Sequence, residues 1–200
     1  RGTTRSSGRV RGNRPNPAGY TFDFKSKDQS GFVKIGFRKN EVSNFQMRPL
    51  MPPKAGEVPL ERGHLKKVLD PLTAVMAMTR SPRRNPCAMK LPVFDGKQRF
   101  NLQLFYKGQE RLPSISGANS QVGFVCQVRY QPVSGYAPDG ATMAMAQERD
   151  IEVVLRSVPN ANLMVPHEIR IPTIAGTARL TSQSLEVRLP RGGQIAAAGR

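Results

Sequence analysis

Apolar and polar residues alternate along most of this chain, so that every second side chain in many segments is apolar. Tyr20, Phe22 and Phe24 fall on one face of an extended segment, and polar residues fall on the other face. Leu102 and Leu104 are arranged in the same way in a later segment. A period of two residues is typical of a strand with one buried face. Because short turns separate these segments, the pattern predicts antiparallel hairpins that follow one another as a meander.

The segment 70–79 is the one convincing stretch with a helical period. Asp70 can accept hydrogen bonds from the free amides at the start of a helix, and Pro71 suits the first helical position. We therefore expect one short helix here, packed by one face over the sheet. The apolar residues that we expect to point inward are Leu72, Val75 and Met76.

About eight or nine strands and one helix follow from the whole pattern. This composition favours an all-β fold, mainly an antiparallel meander curled into a half-open barrel, with a β-sandwich as the alternative. The 18 glycines and 17 prolines suit a chain full of turns. We expect residues 1–15 to form a polar edge strand or a flexible arm, residues 16–188 a single β-rich domain, and residues 189–200 a disordered tail.

The chain is strongly basic, with 31 Lys and Arg residues against 14 Asp and Glu residues and a formal net charge of +17. Such an excess favours contact with anionic surfaces, and nucleic acid, acidic phospholipid and anionic envelope glycolipid all fit. A solvated basic face that keeps the protein soluble is the alternative. No segment approaches the ~20 consecutive apolar residues that cross a bilayer, so the sequence predicts no membrane span.

The two cysteines, Cys87 and Cys126, form either a disulfide or two buried thiols. Cys126 falls on the apolar face of a predicted strand, whereas Cys87 lies in a loop, which is a poor place for a thiol that only fills core space. This difference favours a disulfide, which implies an oxidising compartment. The sequence begins at Arg1, and no apolar segment of the kind that forms the h-region of a signal peptide is found near this point.

The sequence contains little that supports catalysis. Its two histidines, His64 and His167, belong to no cluster with ligand spacing, and no zinc, nucleotide-binding or serine-nucleophile motif occurs. Glu148, Asp150 and Glu152 are close in sequence, but a solvated strand edge explains them better than a catalytic cleft. We therefore expect a protein that is not an enzyme, with no catalytic residue, no metal and no cofactor.

The last two thirds of the chain contain a series of motifs: VLDPLTAVMAM (68–78), LPVFDGKQRFNLQL (91–104), VCQVRYQPVSGY (125–136), RDIEVVL (149–155) and VPHEIRIPTIAGTARL (165–180). This series resembles the bacterial exported family catalogued as domain of unknown function 3108. The resemblance implies a periplasmic β-rich protein, similar to the half-open barrels of lipoprotein carriers, and it supplies no catalytic residue.

The resemblance also implies an unpaired strand edge near the start of this sequence. Family members usually begin with further strands ahead of the point that matches Arg1. The strand from Thr3 to Arg11 is therefore expected to lack one neighbour, and such an edge invites pairing with a second copy of the chain.

A half-open barrel presents an apolar concave face with cations at its mouth, which suits an acyl chain with an anionic head group. The residues expected to line the apolar face are Phe22, Phe24, Ile35, Phe37, Leu102, Leu104, Phe124 and Val128. The residues expected to contact the anion are Lys25, Lys34, Arg38, Arg99 and Arg129. Alternatively, these apolar side chains fill a closed core and the protein acts through its outer surface.

The sequence thus predicts a non-catalytic periplasmic protein of the cell envelope that binds a lipid or another anionic amphiphile. The alternative function is a basic module that binds an anionic polymer, either an envelope glycan or a nucleic acid. Nucleic acid is disfavoured because most aromatic residues beside the cations fall in register with the core face. Phe32 is the exception.

Overall fold

Strands dominate the computed structural model of this chain, and they form two larger antiparallel sheets and one separate hairpin. The structure describes residues 1–81, 84–113, 121–158, 163–173, 175–182, 184–188 and 194–198. The predicted all-β fold with a short helix is therefore confirmed. Within these ranges, neither sheet closes into a barrel.

The first sheet is a meander of four strands that pair in chain order. It consists of β1 (Gly2–Arg11), β2 (Arg14–Lys25), β3 (Ser30–Arg38) and β4 (Glu41–Arg48). Because β1 and β4 stand at the two ends of this order, each has one edge without a strand partner in the described part of the chain. The segment 1–15, expected as an edge strand or an arm, thus contributes β1 to this sheet.

The second sheet has six strands in the order β10, β9, β8, β7, β6, β5. They are β5 (Met89–Phe94), β6 (Arg99–Leu112), β7 (Gln121–Ser134), β8 (Glu152–Val158), β9 (Leu163–Thr173) and β10 (Gly176–Thr181). The separate hairpin consists of β11 (Ser184–Arg188) and β12 (Gln194–Ala198). Part of the segment 189–200, expected as a disordered tail, is therefore a strand.

The chain divides into two compact units, each assembled from several stretches of sequence. The first unit contains residues 1–77, 90–103 and 129–148, and the second contains residues 78–89, 104–128 and 149–200. The whole first sheet lies in the first unit. The long strands β6 and β7 contribute residues to both units.

The predicted helix is present as α1 (Pro71–Thr79). Its start is explained by the residues that the sequence indicates. The Asp70 carboxylate accepts a hydrogen bond from the backbone amide of Thr73 at 2.9 Å, and thereby satisfies one of the free amides of the first turn. Pro71 occupies the first helical position, where its missing amide hydrogen costs nothing.

Of the three residues of α1 that are expected to point inward, only Leu72 packs against the core cluster as predicted. Val75 and Met76 are 37% and 46% exposed, whereas Thr73, Ala74 and Met78 are buried. The prediction for Val75 and Met76 is therefore wrong. A polar side chain takes an inward position because the Thr73 hydroxyl has buried hydrogen-bond partners, which offset the cost of removing it from water.

A second helix, α2 (Gly140–Gln147), is absent from the predicted elements. Asp139 caps it, since its carboxylate accepts a hydrogen bond from the amide of Thr142 at 2.9 Å. One turn of 3-10 helix, Arg62–Leu65, lies between the first sheet and α1. Within the described ranges, none of the helices has the length and apolar character needed to cross a membrane.

The core of the first unit is built on one face of the first sheet. Tyr20 on β2 is paired directly with Ile35 on β3, and both are buried. Val68 and Phe94 are almost completely buried in the same cluster with Phe37. Burial of each large apolar side chain contributes roughly 2 kcal/mol to folding. Partly buried side chains that pack against this cluster are Phe22, Val33, Val42, Leu60, Leu65 and Leu72.

The core of the second unit covers both faces of β8. Val153, Val154 and Leu155 are consecutive, and all three are buried. On one of these faces, Val154 packs with Leu112 and Val125. A strand that is covered on both sides has a continuous apolar run instead of an alternating one.

A disulfide joins Cys87 and Cys126 in the second unit, as the sequence predicts. Both residues are fully buried, and their Cα atoms are 5.3 Å apart. The bond links positions separated by 39 residues. In the chain-entropy model, a loop of this size stabilises the folded state by ~4 kcal/mol.

Candidate functional site

The two faces of the first sheet differ in chemistry. On one face, Tyr20 and Ile35 are paired and buried in the core. On the opposite face, Thr21 is paired with Lys34, whose side chain is exposed. Alternate residues of a strand point to opposite faces, so this division extends along all four strands. We refer to these surfaces as the core face and the outer face.

The outer face is strongly cationic. Exposed cations from all four strands share it: Arg5, Arg9, Arg11, Arg14, Lys25, Lys34, Arg38 and Arg48. The acidic residues on this face are Asp23 and Glu41. None of these cations forms an ion pair with a residue that the structure describes. Their charges therefore add to a positive potential that attracts anions.

Phe32 is the aromatic residue that the register places on the outer face. The ammonium group of Lys34 lies over its ring, 4.9 Å from the ring centroid. This distance is within the range of a cation–π interaction. One face of the ring is therefore already engaged by a neighbouring side chain.

A groove of about 660 Å³ lies at the end of β4. We refer to it as the edge groove, and its lining residues are Phe32, Phe45, Gln46, Met47, Arg48, Pro49, Leu50 and Met51. Leu50 and Met51 are 83% and 56% exposed, and Phe45 is 40% exposed. Large apolar side chains grouped in this way on a surface are typical of binding sites.

Local sequence explains how the edge groove forms. β4 ends at Arg48 because Pro49 lacks the amide hydrogen that the next pairing step would need. The chain then leaves the sheet and carries Leu50 and Met51 outward. Phe45 is held in place from the other side, since its ring packs edge-on against the buried Phe94 ring with centroids 5.1 Å apart.

The edge groove combines apolar surface with positive charge. Arg48 is paired with Phe32 on the outer face and also lines the groove, so this residue belongs to both surfaces. Lys34, beside Phe32, adds a second cation nearby. Chemically, this arrangement can hold an apolar chain and an anionic group at its end.

Residues 1–182 match the model of one protein family, described as Protein of unknown function (DUF3108). The chain belongs to this family. The match includes the first sheet and the edge groove, so it reaches further than the motifs after residue 67 on which the resemblance depends. A search of curated proteins and a search of solved structures both return no match.

The predicted apolar ligand face is divided in this DUF3108 member. Ile35 and Phe37 are buried in the core cluster of the first unit, and Phe22 packs against them. Phe24 stacks on Phe22 with ring centroids 5.7 Å apart. These four side chains therefore fill the core face and do not line the edge groove. Of the remaining predicted residues, Leu102 lies in the first unit, and Leu104, Phe124 and Val128 lie in the second.

The predicted anion-contacting residues also lie in different places. Lys25, Lys34 and Arg38 share the outer face of the first sheet. Arg99 is half-buried on β6, where it donates to the carbonyl of the next residue and to a neighbouring amide oxygen, and burial lowers the pKa of its guanidinium. Arg129 is exposed on β7. The structure thus brings three of the five together.

A buried polar cluster in the DUF3108 chain connects α1 with β1. The Ser6 hydroxyl donates to the Asp70 carboxylate at 3.2 Å and lies 2.8 Å from the Thr73 hydroxyl. The Thr73 hydroxyl donates to the same carboxylate at 2.5 Å. The Asp70 carboxylate thus accepts three hydrogen bonds from within the chain, and these bonds explain how the helix is attached to the sheet.

Carboxylates of the second unit form an ion-pair network. Arg170 pairs with Glu110 at 2.6 Å, with Glu152 at 3.2 Å and with Glu168. Lys107 lies 2.6 Å from Glu152. Burial raises the pKa of Glu152, but hydrogen bonds from Lys107 and Arg170 outweigh that effect and hold the pKa below its ordinary value. A carboxyl group that is kept ionised is a poor proton donor at neutral pH.

Metal-ligating side chains do not converge in the described part of this family member. No group of three His, Cys, Asp or Glu residues there is arranged to hold a metal ion. His167 instead lies 3.5 Å from the Arg156 guanidinium, and burial together with that charge lowers its pKa.

Sequence reasoning missed the residues of the edge groove. The segment after β4 contains Pro49, Pro52 and Pro53, and its prolines indicate only a connector. Leu50 and Met51 between them are a signal that could have been noticed, because apolar residues in a proline-rich connector have no strand or helix to bury them. Phe45 and Met47 have the spacing of core residues, and only the tertiary structure shows that they reach the surface.

Proposed function

We propose that this protein is a non-catalytic binding protein of the cell envelope, and that an anionic amphiphile binds in its edge groove. The observation that carries the proposal is the meeting of exposed apolar side chains with the Arg48 cation at the end of β4. Ligand sites for small molecules are concave, mostly apolar and supplied with few polar groups, and their volumes run from about 300 to 1,000 Å³.

The apolar part of the ligand packs against Phe45, Met47, Leu50 and Met51. Leu50 and Met51 are costly to leave in water, since each Å² of apolar surface removed from water contributes about 25 cal/mol. An acyl chain laid along these side chains gains the same contribution from its own surface. Flexible Met side chains adapt to chains of different shape.

The anionic head group pairs with Arg48. A planar guanidinium donates two parallel hydrogen bonds to a phosphate or carboxylate, which fixes the orientation of the head as well as its charge. Lys34 on the outer face contacts the groove residue Phe32, so its positive charge also attracts the anionic head group. The head therefore faces the outer face while the chain stays in the groove.

The disulfide supports the envelope location. Cys87 and Cys126 are both bonded, and the bond connects two distant parts of the second unit. Stable structural disulfides persist in oxidising compartments such as the bacterial periplasm. We therefore propose the periplasm as the place where this protein binds its ligand.

Binding of decyl phosphate, measured by isothermal titration calorimetry, tests the function. Decyl phosphate should bind to the wild-type protein, and decanol should bind at least tenfold more weakly because it lacks the anion. The double variant Leu50→Ser/Met51→Ser should lose at least tenfold in affinity, and Arg48→Gln should lose about tenfold, since each charge-assisted hydrogen bond contributes about 1.5 kcal/mol or more.

Leu180→Ser is the matched control, because Leu180 is also a highly exposed apolar side chain but lies in the second unit. It should leave the affinity for decyl phosphate unchanged. A folded wild-type protein that does not bind decyl phosphate contradicts the proposal. So does a Leu50→Ser/Met51→Ser variant that binds as tightly as the wild type.

A further inference from the structure

We propose that the outer face of the first sheet docks on the surface of an acidic phospholipid bilayer, and that this contact places the edge groove at the membrane. The identity of the groove's ligand rests on the function proposed above. The docking itself rests on the cations of the outer face. The proposal thus names the membrane as the place where the amphiphile is taken up or delivered.

The cations are spread over the sheet in two dimensions. Arg5, Arg9 and Arg11 lie on β1 at one edge, and Arg48 lies on β4 at the other. Neighbouring strands are about 4.8 Å apart and residues rise about 3.3 Å along a strand, so the array measures roughly 15 Å by roughly 30 Å. A lattice of anionic head groups matches such an array, whereas a linear polymer follows a single track.

The aromatic content of the outer face argues against nucleic acid. Proteins that bind single strands stack successive bases on several aromatic rings. Phe32 is the aromatic side chain that the described register places here, and the Lys34 ammonium occupies one side of its ring. The face therefore offers charge without a stacking platform.

Exposed apolar side chains adjoin the cationic face where a bilayer can accept them. Leu50 and Met51 follow Arg48 after a single residue, Pro49, and both are exposed at the end of β4. Surfaces that bind membranes combine cations for the head groups with apolar side chains that reach the acyl boundary. A soluble polyanion supplies only the first of these two interactions.

Co-sedimentation with vesicles tests the docking on the full chain. The wild-type protein should bind vesicles made of equal amounts of phosphatidylcholine and phosphatidylglycerol, and it should not bind vesicles of phosphatidylcholine alone. Binding should weaken steeply with added salt, because salt screens the contact between surface charges.

The variant Arg5→Gln/Arg9→Gln/Arg11→Gln separates docking from ligand binding. These arginines are exposed on β1, at the edge opposite β4 and its groove, so their replacement should leave the fold and the affinity for decyl phosphate unchanged. Binding to the acidic vesicles should fall on the order of 100-fold, since each cation near an acidic surface contributes about fivefold. The matched control replaces exposed cations outside this sheet, Arg62→Gln/Arg84→Gln/Lys90→Gln, and should lose much less.

The outcomes distinguish the two proposals. Binding of decyl phosphate without binding to acidic vesicles overturns the docking and leaves the proposed function standing. Vesicle binding that the β1 variant abolishes, without decyl phosphate binding, supports the docking and overturns the proposed function. Equal losses in the β1 variant and its control, or tighter binding to single-stranded RNA or polyphosphate than to acidic vesicles, overturn the docking.

Discussion

Asp70 shows how one side chain can define a helix start and attach that helix to a sheet. Its carboxylate is completely buried, yet it accepts hydrogen bonds from the Thr73 amide, the Thr73 hydroxyl and the Ser6 hydroxyl. Sequence predicts the first of these bonds from the Asp-Pro step. The bond to Ser6 joins residues 64 positions apart, and it exists only in the folded chain.

Replacement of Asp70 by Ala should lower the free energy of unfolding by about 3 kcal/mol, because it removes the helix cap and leaves the buried Thr73 hydroxyl and the partly buried Ser6 hydroxyl without their acceptor. Urea denaturation followed by circular dichroism measures this loss. Asp139→Ala is the control, since Asp139 caps α2 in an exposed position and should cost clearly less. If the two variants lose the same free energy of unfolding, burial of the Asp70 cluster adds no stability beyond that of an exposed helix cap.

At the scale of elements, neighbouring strands are joined by side chains as well as by their backbone. Arg170 on β9 reaches Glu110 on β6 and Glu152 on β8, and it also contacts Glu168 on its own strand. These ion pairs are shielded from water, with the Arg170 side chain 18% exposed. Pairs of this kind are screened less by salt than those on an open surface.

The ion-pair network makes stability depend on pH. Burial raises the pKa of both Glu152 and Glu168, but hydrogen bonds from Lys107 and Arg170 hold the pKa of Glu152 below its ordinary value, and hydrogen bonds from Arg170 and Arg179 do the same for Glu168. A carboxyl group whose pKa is lowered in the folded state stabilises the fold at pH values above its ordinary pKa. This stabilisation is lost as the pH falls through the lowered pKa.

Arg170→Met should therefore lower the free energy of unfolding by about 2 kcal/mol at pH 7, and its difference from the wild type should shrink as the pH falls below the ordinary range of glutamate. Urea denaturation at a series of pH values checks both statements. Arg179→Met is the control, because its more exposed pair with Glu168 should contribute less than about 1 kcal/mol. A constant difference across all pH values would contradict the assigned role.

At the scale of the whole molecule, the chain builds two compact units from interleaved stretches of sequence. The second unit combines residues 78–89, 104–128 and 149–200. The disulfide connects the first of these stretches with the second. A covalent bond between the two stretches restricts the unfolded chain, and this restriction grows with the number of residues between the two cysteines.

Cys87→Ala/Cys126→Ala should therefore lower the free energy of unfolding by about 4 kcal/mol. The comparison of wild type and variant by urea denaturation, without reductant, measures this difference. Addition of dithiothreitol should destabilise the wild-type protein and leave the variant unchanged. A variant as stable as the oxidised wild type would show that the bond is not needed to hold these stretches together.

Local pattern predicted much of the architecture, and the reasons for its failures are physical. The two-residue period around Tyr20 and Ile35 predicted strands, because burial of one face selects that period directly. On β7 the same period holds only in part: Cys126 and Val128 are buried, but Val122 on that face is 47% exposed, and Val125 on the opposite face is buried. A strand can have one face buried at one point of its length and the other face buried further along. The elements that pack against the strand decide which face is buried at each point.

The sequence by itself determined the all-β character and the start of α1, because both follow from residues that are neighbours in the chain. It also determined the disulfide, because Cys87 and Cys126 are the two cysteines of the sequence and each has no other cysteine to pair with. The tertiary structure decided where the apolar side chains go. Phe37 and Phe45 are the same type of residue, and both lie on strands with the spacing of core positions. Phe37 is buried in the core, whereas Phe45 lines the edge groove. That outcome depends on which segments cover each face, and this covering is set by contacts between residues that are distant in the chain.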